Sequence, residues 1–267
     1  MTTLRRKFLA LVIISAGLLS ACASTAPTAD ANVREVLAPT GTLRVGAYPG
    51  SPTSMVRDPK TGEPAGVALN LGQALARQMG VPVQVLEFTR VAQVLDALKA
   101  GAVDFTFTNA TEARARDMDF TAPLLQLELG YLVPPGSSLA KVGDIDRAGV
   151  RVGVTQGSTS QGTLTRAYKA ATVRTAASIN EAQQMLRRGD IDAFATNKGI
   201  LFEMADALPG YRVLDGRWGA ESLAIAVPKG RDAGMPYLRQ FAQQAQASGL
   251  LQSIVAKAGL RGTARPE

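Results

Sequence analysis

The chain has 267 residues, of which 46% are hydrophobic, and it carries a formal charge of +7 with one cysteine and no histidine. The absence of histidine excludes Ser-His-Asp and Cys-His catalysis and removes the commonest metal ligand. A single cysteine excludes an internal disulfide. The basic charge comes without a long Lys/Arg run, so we expect no nucleic-acid partner, and we expect neither a metal nor a cofactor.

The first 22 residues have the pattern of a secretory leader. Basic residues at positions 5–7 precede an apolar run over 8–19, which is shorter than the roughly 20 residues of a membrane span. Residues 19–22, Leu-Ser-Ala-Cys, resemble the lipobox of bacterial lipoproteins. The resemblance implies a signal peptide over 1–21 and a lipid (palmitate) anchor on Cys22. The alternative is an ordinary signal peptide with an incidental cysteine.

A first series of strands and helices follows a tether. Residues 22–40 are small and polar, which predicts a flexible, lipid-anchored tether. Short apolar runs then alternate with helical periodicity. The predicted order is strand 43–46, helix 69–79, strand 83–88, a helix capped by Thr89 and closed by Gly101, and strand 103–107.

A second series repeats this order. It comprises strand 151–154, a helix after 157–159, a strand at Val173, a helix from Ser178 to Gly189, strand 191–195, late strand 223–227, and helices 233–247 and 249–258. The stretches 128–134 and 222–228 flank the series, and if both cross between lobes they form a double-crossover hinge. We therefore predict a two-lobed α/β fold in which each lobe is a mostly parallel sheet flanked by helices. Lobe 1 is 41–130 plus 226–267, and lobe 2 is 131–225.

Five segments resemble one family in the same order. They are 41–46, 62–71, the "L-x-x-G-x-x-D … T-x-x-R" stretch within 98–123, 151–159 and 186–193. Together they resemble extracellular solute-binding protein family 3, the periplasmic amino acid-binding components of ABC transporters. The resemblance implies the periplasmic-binding-protein fold, a small carboxylate-bearing solute in the interlobe cleft, and delivery to an inner-membrane permease. A monomer anchored on the periplasmic side of a bacterial membrane is expected.

Arg114 is the principal candidate for ligand binding. A guanidinium can hold a carboxylate through two parallel charge-assisted hydrogen bonds, and Thr111 can cap the short helix that carries Arg114. The resemblance implies that Arg114 clamps the ligand carboxylate. The alternative is a surface arginine in salt bridges with Asp117 or Asp119.

Two hydroxyl-rich loops supply further candidates. The resemblance places Asn109 where relatives have a carboxylate-binding hydroxyl, with Thr108 nearby; turn chemistry is the alternative role of the asparagine. Ser158 and Thr159 begin a helix of lobe 2, where free N–H groups favour an anion. Simple helix capping is the alternative there.

Several positions depart from the family pattern. Relatives that bind amino acids place an aspartate for the ligand ammonium where this chain has Asn197, and the usual aromatic of the clamp is Val67. Tyr48 is a candidate contact, the alternative being packing under its loop. Glu221 is a candidate ammonium partner, although a structural role at the hinge is the preferred interpretation. We expect a small anionic or zwitterionic solute rather than lysine or arginine.

We expect a binding protein rather than an enzyme. One alternative is a periplasmic enzyme resembling cyclohexadienyl dehydratase, for which Glu112 and Glu221 are the only notable acid candidates. The other alternative is a ligand sensor that presents its closed form to a signalling partner.

Overall fold

The computed structural model describes residues 30–58 and 60–264. The predicted signal peptide, Cys22 and the first part of the predicted tether lie outside these ranges. Within them, no helix combines the length and apolar character needed to cross a membrane.

Helices and short strands alternate along the chain. The helices are α1 (Ala31–Leu37), α2 (Val67–Met79), α3 (Val91–Lys99), α4 (Glu112–Ala115), α5 (Thr159–Ala167), α6 (Ile179–Arg188), α7 (Lys198–Ala207), α8 (Met235–Ala247) and α9 (Leu250–Lys257). The strands are β1 (Leu43–Ala47), β2 (Val56–Arg57), β3 (Pro64–Ala65), β4 (Val83–Glu87), β5 (Thr106–Asn109), β6 (Met118–Phe120), β7 (Leu125–Val133), β8 (Arg151–Thr155), β9 (Thr172–Ala176), β10 (Ala193–Asn197), β11 (Arg212–Val213), β12 (Gly219–Pro228) and β13 (Thr263–Ala264).

Lobe 1 is built around β1 and the helices that cover it. β1 pairs in parallel with β4, and Val45 in β1 forms a parallel bridge to Phe105. Leu71 and Leu75, which are buried on α2, pack into a core with residues of α8 and α9. The 3.6-residue period of α2 places these apolar side chains on one face, and Gly80 ends the helix in the left-handed conformation.

Lobe 2 repeats the parallel arrangement. β8 pairs in parallel with both β9 and β10. Ser178 caps α6 by accepting a hydrogen bond from the Glu181 amide at 3.1 Å. The buried face of α6, which includes Ala182 and Leu186, packs against a separate core in this lobe.

Two long strands join the lobes. β7 and β12 are antiparallel partners from Gly219–Leu129 to Leu223–Leu125. β12 continues as the partner of β5 and β6, whereas β7 continues as the partner of β10 and β11. The expected lobe boundaries at 130/131 and 225/226 fall within these strands.

An arginine–aspartate pair holds the first and third strand regions together in each lobe. Arg44 at the start of β1 binds the fully buried carboxylate of Asp104 at 2.7 Å, and Arg231 approaches the same oxygen at 3.1 Å. Arg151 at the start of β8 binds Asp192, also at 2.7 Å. The aspartates end the two "L-x-x-G-x-x-D" segments, so this repeated motif has a structural role.

The structure corrects three details of the sequence prediction. Residues 31–37 of the predicted tether form α1, because Asp30 caps the helix and Leu37 is buried in the lobe 1 core. Arg90 rather than Thr89 precedes α3, since the Thr89 hydroxyl instead donates to Gln93 Oε1 at 2.8 Å. Helix α7 was not predicted, although Asn197 caps it.

Candidate ligand-binding site

Polar side chains from both lobes converge on a cavity beside the hinge. The ends of β5, β8 and β10, the first turn of α5 and the hinge strand β12 all reach it, and its volume is about 40 Å³. We call this space the interlobe cavity; its lining is Tyr48, Thr53, Val91, Phe107, Thr108, Asn109, Arg114, Thr155, Ser158, Thr159, Ile179, Thr196, Asn197, Ile200, Glu221 and Leu223. A water molecule needs roughly 10–15 Å³ of such space, so the cavity in this structure has room for only a few water molecules.

Arg114 lies at this cavity on the short helix α4. Thr111 caps that helix by accepting a hydrogen bond from the Arg114 amide at 3.3 Å. The guanidinium donates from Nη1 to Thr108 Oγ1 at 2.8 Å and to the Asn109 carbonyl at 3.1 Å. Burial lowers the pKa of Arg114, and the negative charge of Glu221 opposes that effect. Two neutral partners therefore hold the guanidinium, which is partly buried.

The surface-arginine interpretation of Arg114 disagrees with the observed pairs. Asp117 pairs with Lys99 at 2.8 Å, and Asp119 pairs with Lys229 at 2.5 Å. Among the residues that the structure describes, no carboxylate oxygen lies within 4 Å of the Arg114 guanidinium. Arg114 therefore has no direct ion pair among these residues, although Glu221 acts on its charge from a greater distance.

Thr108 and Asn109 have positioning contacts as well as cavity exposure. Thr108 accepts from Arg114, and Asn109 Oδ1 accepts a hydrogen bond from the Ser222 amide at 3.0 Å. The Asn109 amide oxygen thereby ties the end of β5 to the hinge strand. Both residues line the interlobe cavity.

Glu221 is the buried acid of the cavity, with 8% of its surface exposed. Its Oε1 accepts a hydrogen bond from Thr159 Oγ1 at 2.7 Å, and its Oε2 accepts one from Asn197 Nδ2 at 3.2 Å. Both donors belong to lobe 2. The carboxylate that the sequence lacks at position 197 is thus supplied at the same cavity by the hinge strand.

Asn197 uses both its amide oxygen and its amide nitrogen in hydrogen bonds. Its Oδ1 caps α7 by accepting from the Ile200 amide at 3.1 Å, and its Nδ2 donates to Glu221. The neighbouring Lys198 pairs with Glu128 at 2.6 Å and does not line the cavity. Asn197 therefore acts on the cavity by orienting Glu221.

The first turn of α5 closes the cavity from lobe 2. Ser158 caps it by accepting from the Gln161 amide at 3.2 Å, while the Thr159 hydroxyl is directed to Glu221. The positive end of the helix dipole faces the same space, which favours an anion there.

Of the remaining candidates, only Tyr48 lines the cavity. Tyr48 packs against the lobe 2 core, and burial raises its pKa. Val67 is fully buried in the lobe 1 core at the start of α2 and is not among the cavity-lining residues, because its short side chain points into the core. Thr111 lies on the other side of Arg114.

Thr111 faces a larger and more open space. This outer groove, of about 800 Å³, lies between the α3–α4 region and α5 and includes Trp218. It shares four residues with the interlobe cavity: Asn109, Arg114, Ser158 and Thr159. No cluster of three or more potential metal ligands occurs in residues 30–58 and 60–264.

Residues 43–260 match the bacterial extracellular solute-binding proteins, family 3. The chain belongs to this family. A glutamine-binding protein from Geobacillus stearothermophilus is 27% identical over 210 residues, which cover 77% of this chain and 80% of the relative. The glutamine-binding protein GlnH of a Bacillus subtilis ABC transporter is 25% identical over 206 residues, or 76% of this chain and 75% of the relative.

Solved structures agree with this assignment. An ancestral arginine-binding protein bound to glutamine is 26% identical with a TM-score of 0.73, covering 81% of this chain and 97% of the other. An ancestral amino acid-binding protein that is a precursor of cyclohexadienyl dehydratase is 25% identical with a TM-score of 0.71, covering 84% and 97%. The predicted family and two-lobed α/β fold are confirmed.

The burial of Glu221 follows from its position in β12. In a strand, residues two apart share a face, so Glu221 points the same way as Leu223, Ile225 and Val227, all of which belong to the lobe 1 core. A lone acid at the head of an inward-facing apolar series was the available signal for a buried carboxylate.

Proposed function

We propose that this chain is the substrate-binding lipoprotein of an ABC importer. It captures a small carboxylate-bearing solute, such as an amino acid, in the interlobe cavity and delivers it to a permease. The chain works as a monomer anchored through Cys22 on the periplasmic side of a bacterial membrane.

The guanidinium of Arg114 is the main support for this proposal. It is partly buried, it is held by two neutral oxygen acceptors, and it has no acidic partner within 4 Å among the described residues. A carboxylate that binds it gains charge-assisted hydrogen bonds in a place where water competes less than at an open surface. The start of α5 reaches the cavity from lobe 2, so the same anion draws the two lobes together.

The relatives support transport over catalysis. The two matching curated proteins are glutamine-binding proteins. The enzyme alternative draws on the precursor of cyclohexadienyl dehydratase and on the buried acid Glu221. That acid is held by a hydroxyl and an amide, and among the described residues Tyr48 and Arg114 are the other titratable groups that line the cavity.

A binding screen tests the proposal. The soluble chain from Asp30 is screened by thermal shift against amino acids, dicarboxylates and small phosphonates, since a ligand of the native state raises the melting temperature. Calorimetry then compares Arg114→Gln with Arg116→Gln, an exposed arginine two residues away. Loss of a buried charge pair costs roughly 2–5 kcal/mol, so Arg114→Gln weakens binding by about 30-fold or more, and Arg116→Gln leaves it unchanged.

Three results would contradict the proposal. Equal affinity of Arg114→Gln and the wild type removes the carboxylate clamp. Turnover of prephenate or arogenate by the purified protein replaces transport by catalysis. Recovery of the full chain without an acyl group on Cys22, measured by mass spectrometry with Cys22→Ser as control, removes the lipid anchor.

A further inference from the structure

The charged lining of the interlobe cavity consists of one residue of each sign. Of the residues that line it within the described chain, Arg114 and Glu221 alone carry a formal charge. The remaining polar lining consists of hydroxyl and amide groups. The cavity therefore offers one cation and one anion to whatever occupies it.

Neither of these two charges is in a direct salt bridge, although each acts on the other across the cavity. Within residues 30–58 and 60–264, no acidic oxygen lies within 4 Å of the Arg114 guanidinium, and no Lys or Arg nitrogen lies within 4 Å of the Glu221 carboxylate. A buried charge without an opposite charge is costly, and proteins compensate such charges by pairing. An occupant that carries both signs compensates both groups at once.

The Glu221 carboxylate has room for another donor. An ionised carboxylate offers about four acceptor positions, and the described residues use two of them through Thr159 and Asn197. Both of these donors are neutral. They hold the carboxylate in place without cancelling its charge, which leaves positions for an ammonium group.

We propose that Glu221 binds the ammonium of the solute, which makes the solute a zwitterionic amino acid with an uncharged side chain. This inference rests on the proposed function, because it takes the carboxylate of the same solute to be held by Arg114. An acidic or basic side chain would place a third charge in a cavity whose two charges are already paired. Glu221 thereby replaces, from the hinge strand, the carboxylate that is missing at Asn197.

The competing role for Glu221 is a structural latch. Its hydrogen bond to Thr159 joins the hinge strand to lobe 2, so removal of the carboxylate could weaken every ligand alike. The experiment must therefore separate recognition of an ammonium group from closure of the lobes.

A comparison of matched ligands makes this separation. The probes are L-amino acids with uncharged side chains and the corresponding L-2-hydroxy acids, such as L-alanine and L-lactate. The hydroxy acid keeps the carboxylate and has a hydroxyl in place of the ammonium. Calorimetry measures both members of a pair on the wild type, on Glu221→Gln and on Thr159→Val. The wild type is expected to prefer the amino acid by about 30-fold or more, and Glu221→Gln to lose that preference. Thr159→Val keeps the carboxylate and therefore keeps the preference, even where it weakens both ligands.

Each other outcome overturns the inference. Equal wild-type affinities for the two members of a pair show that the ammonium is not recognised, and the proposed function stands if Arg114→Gln still abolishes binding. If Glu221→Gln lowers the affinity for both members of a pair equally, the role of Glu221 is that of a structural latch. If no carboxylate-bearing compound binds the wild type, the proposed function fails first. If Glu221→Gln does not fold, Glu221→Asp is used instead, because it keeps the charge but moves the carboxylate back by one methylene. The preference for the amino acid over the hydroxy acid must then fall.

Discussion

Gly157 lies where the two lobes touch, and its substitution by alanine is expected to hinder closure. The loop between β8 and α5 carries it, with φ at +75°, against Ala92 of lobe 1. A Cβ at position 157 would lie 2.5 Å from the Cβ of Ala92. Carbon atoms pack at about 3.5–4.0 Å, so the lobes must separate by roughly 1 Å or the loop must move.

The expected loss of affinity follows from this contact. Overpacking of this kind costs about 1–3 kcal/mol, which corresponds to roughly 5- to 150-fold weaker binding. The left-handed backbone adds about 1–2 kcal/mol of destabilisation, which applies to the open and the closed form alike. Gly189→Ala is the matched control, because Gly189 has a φ of +71° and no atom within 4 Å of its added Cβ.

Calorimetry and thermal unfolding on three variants separate the two effects. Gly157→Ala is expected to lose both affinity and stability, and Gly189→Ala stability alone. The double variant Gly157→Ala with Ala92→Gly removes the colliding carbon and is expected to regain affinity, at a helix cost of about 0.5–1 kcal/mol. If Gly157→Ala binds the solute as tightly as the wild type, or if the double variant does not regain affinity, the lobes do not close with Gly157 against Ala92.

Two further predictions concern stability. Asp104→Ala removes a fully buried carboxylate that faces Arg44, so urea unfolding should show that the free energy of unfolding falls by about 3–5 kcal/mol. Asp192→Ala, at a site with 35% of the side chain exposed, should lower the free energy of unfolding clearly less. Equal losses in the two variants would contradict the assigned burial. The hydrogen bond from Arg151 lowers the pKa of Asp192, so its stabilisation is complete above the unfolded pKa of about 3.9 and is lost as the pH falls below it. Asp192→Asn should therefore flatten the acid side of the stability curve, and an unaltered curve would remove this group from the acid response.

The sequence predicted the regular elements well where local signals were strong. Apolar spacing with a stop at Gly80 defined α2, and the helix cap Ser178 defined the start of α6. Helix α7 went unpredicted because its cap, Asn197, was interpreted as a ligand residue. Residues 31–37 look like a linker by composition, but the cap Asp30 and the packing of Leu37 on lobe 1 stabilise a helix there.

The local contacts of Arg114 could be predicted from the sequence, whereas the hydrogen-bond partners of Glu221 could not. Arg114 stands in a local motif, and the helix cap Thr111 supports it over three residues. The partnership of Glu221 with Thr159 joins residues 62 positions apart, and that with Asn197 spans 24. Such pairs depend on how β12 crosses between the lobes, which no short window of sequence specifies. Val67 failed as a cavity residue because its aligned position lies in the core.

The position of the bound solute tests the central claim most directly. A crystal structure with the tightest-binding amino acid of the screen is expected to show its carboxylate at about 2.7–2.9 Å from the guanidinium nitrogens of Arg114. The ammonium should lie on the Glu221 carboxylate between the lobes. A solute seated in the outer groove, with the interlobe cavity still closed and Arg114 bound only to Thr108 and Asn109, would contradict the account.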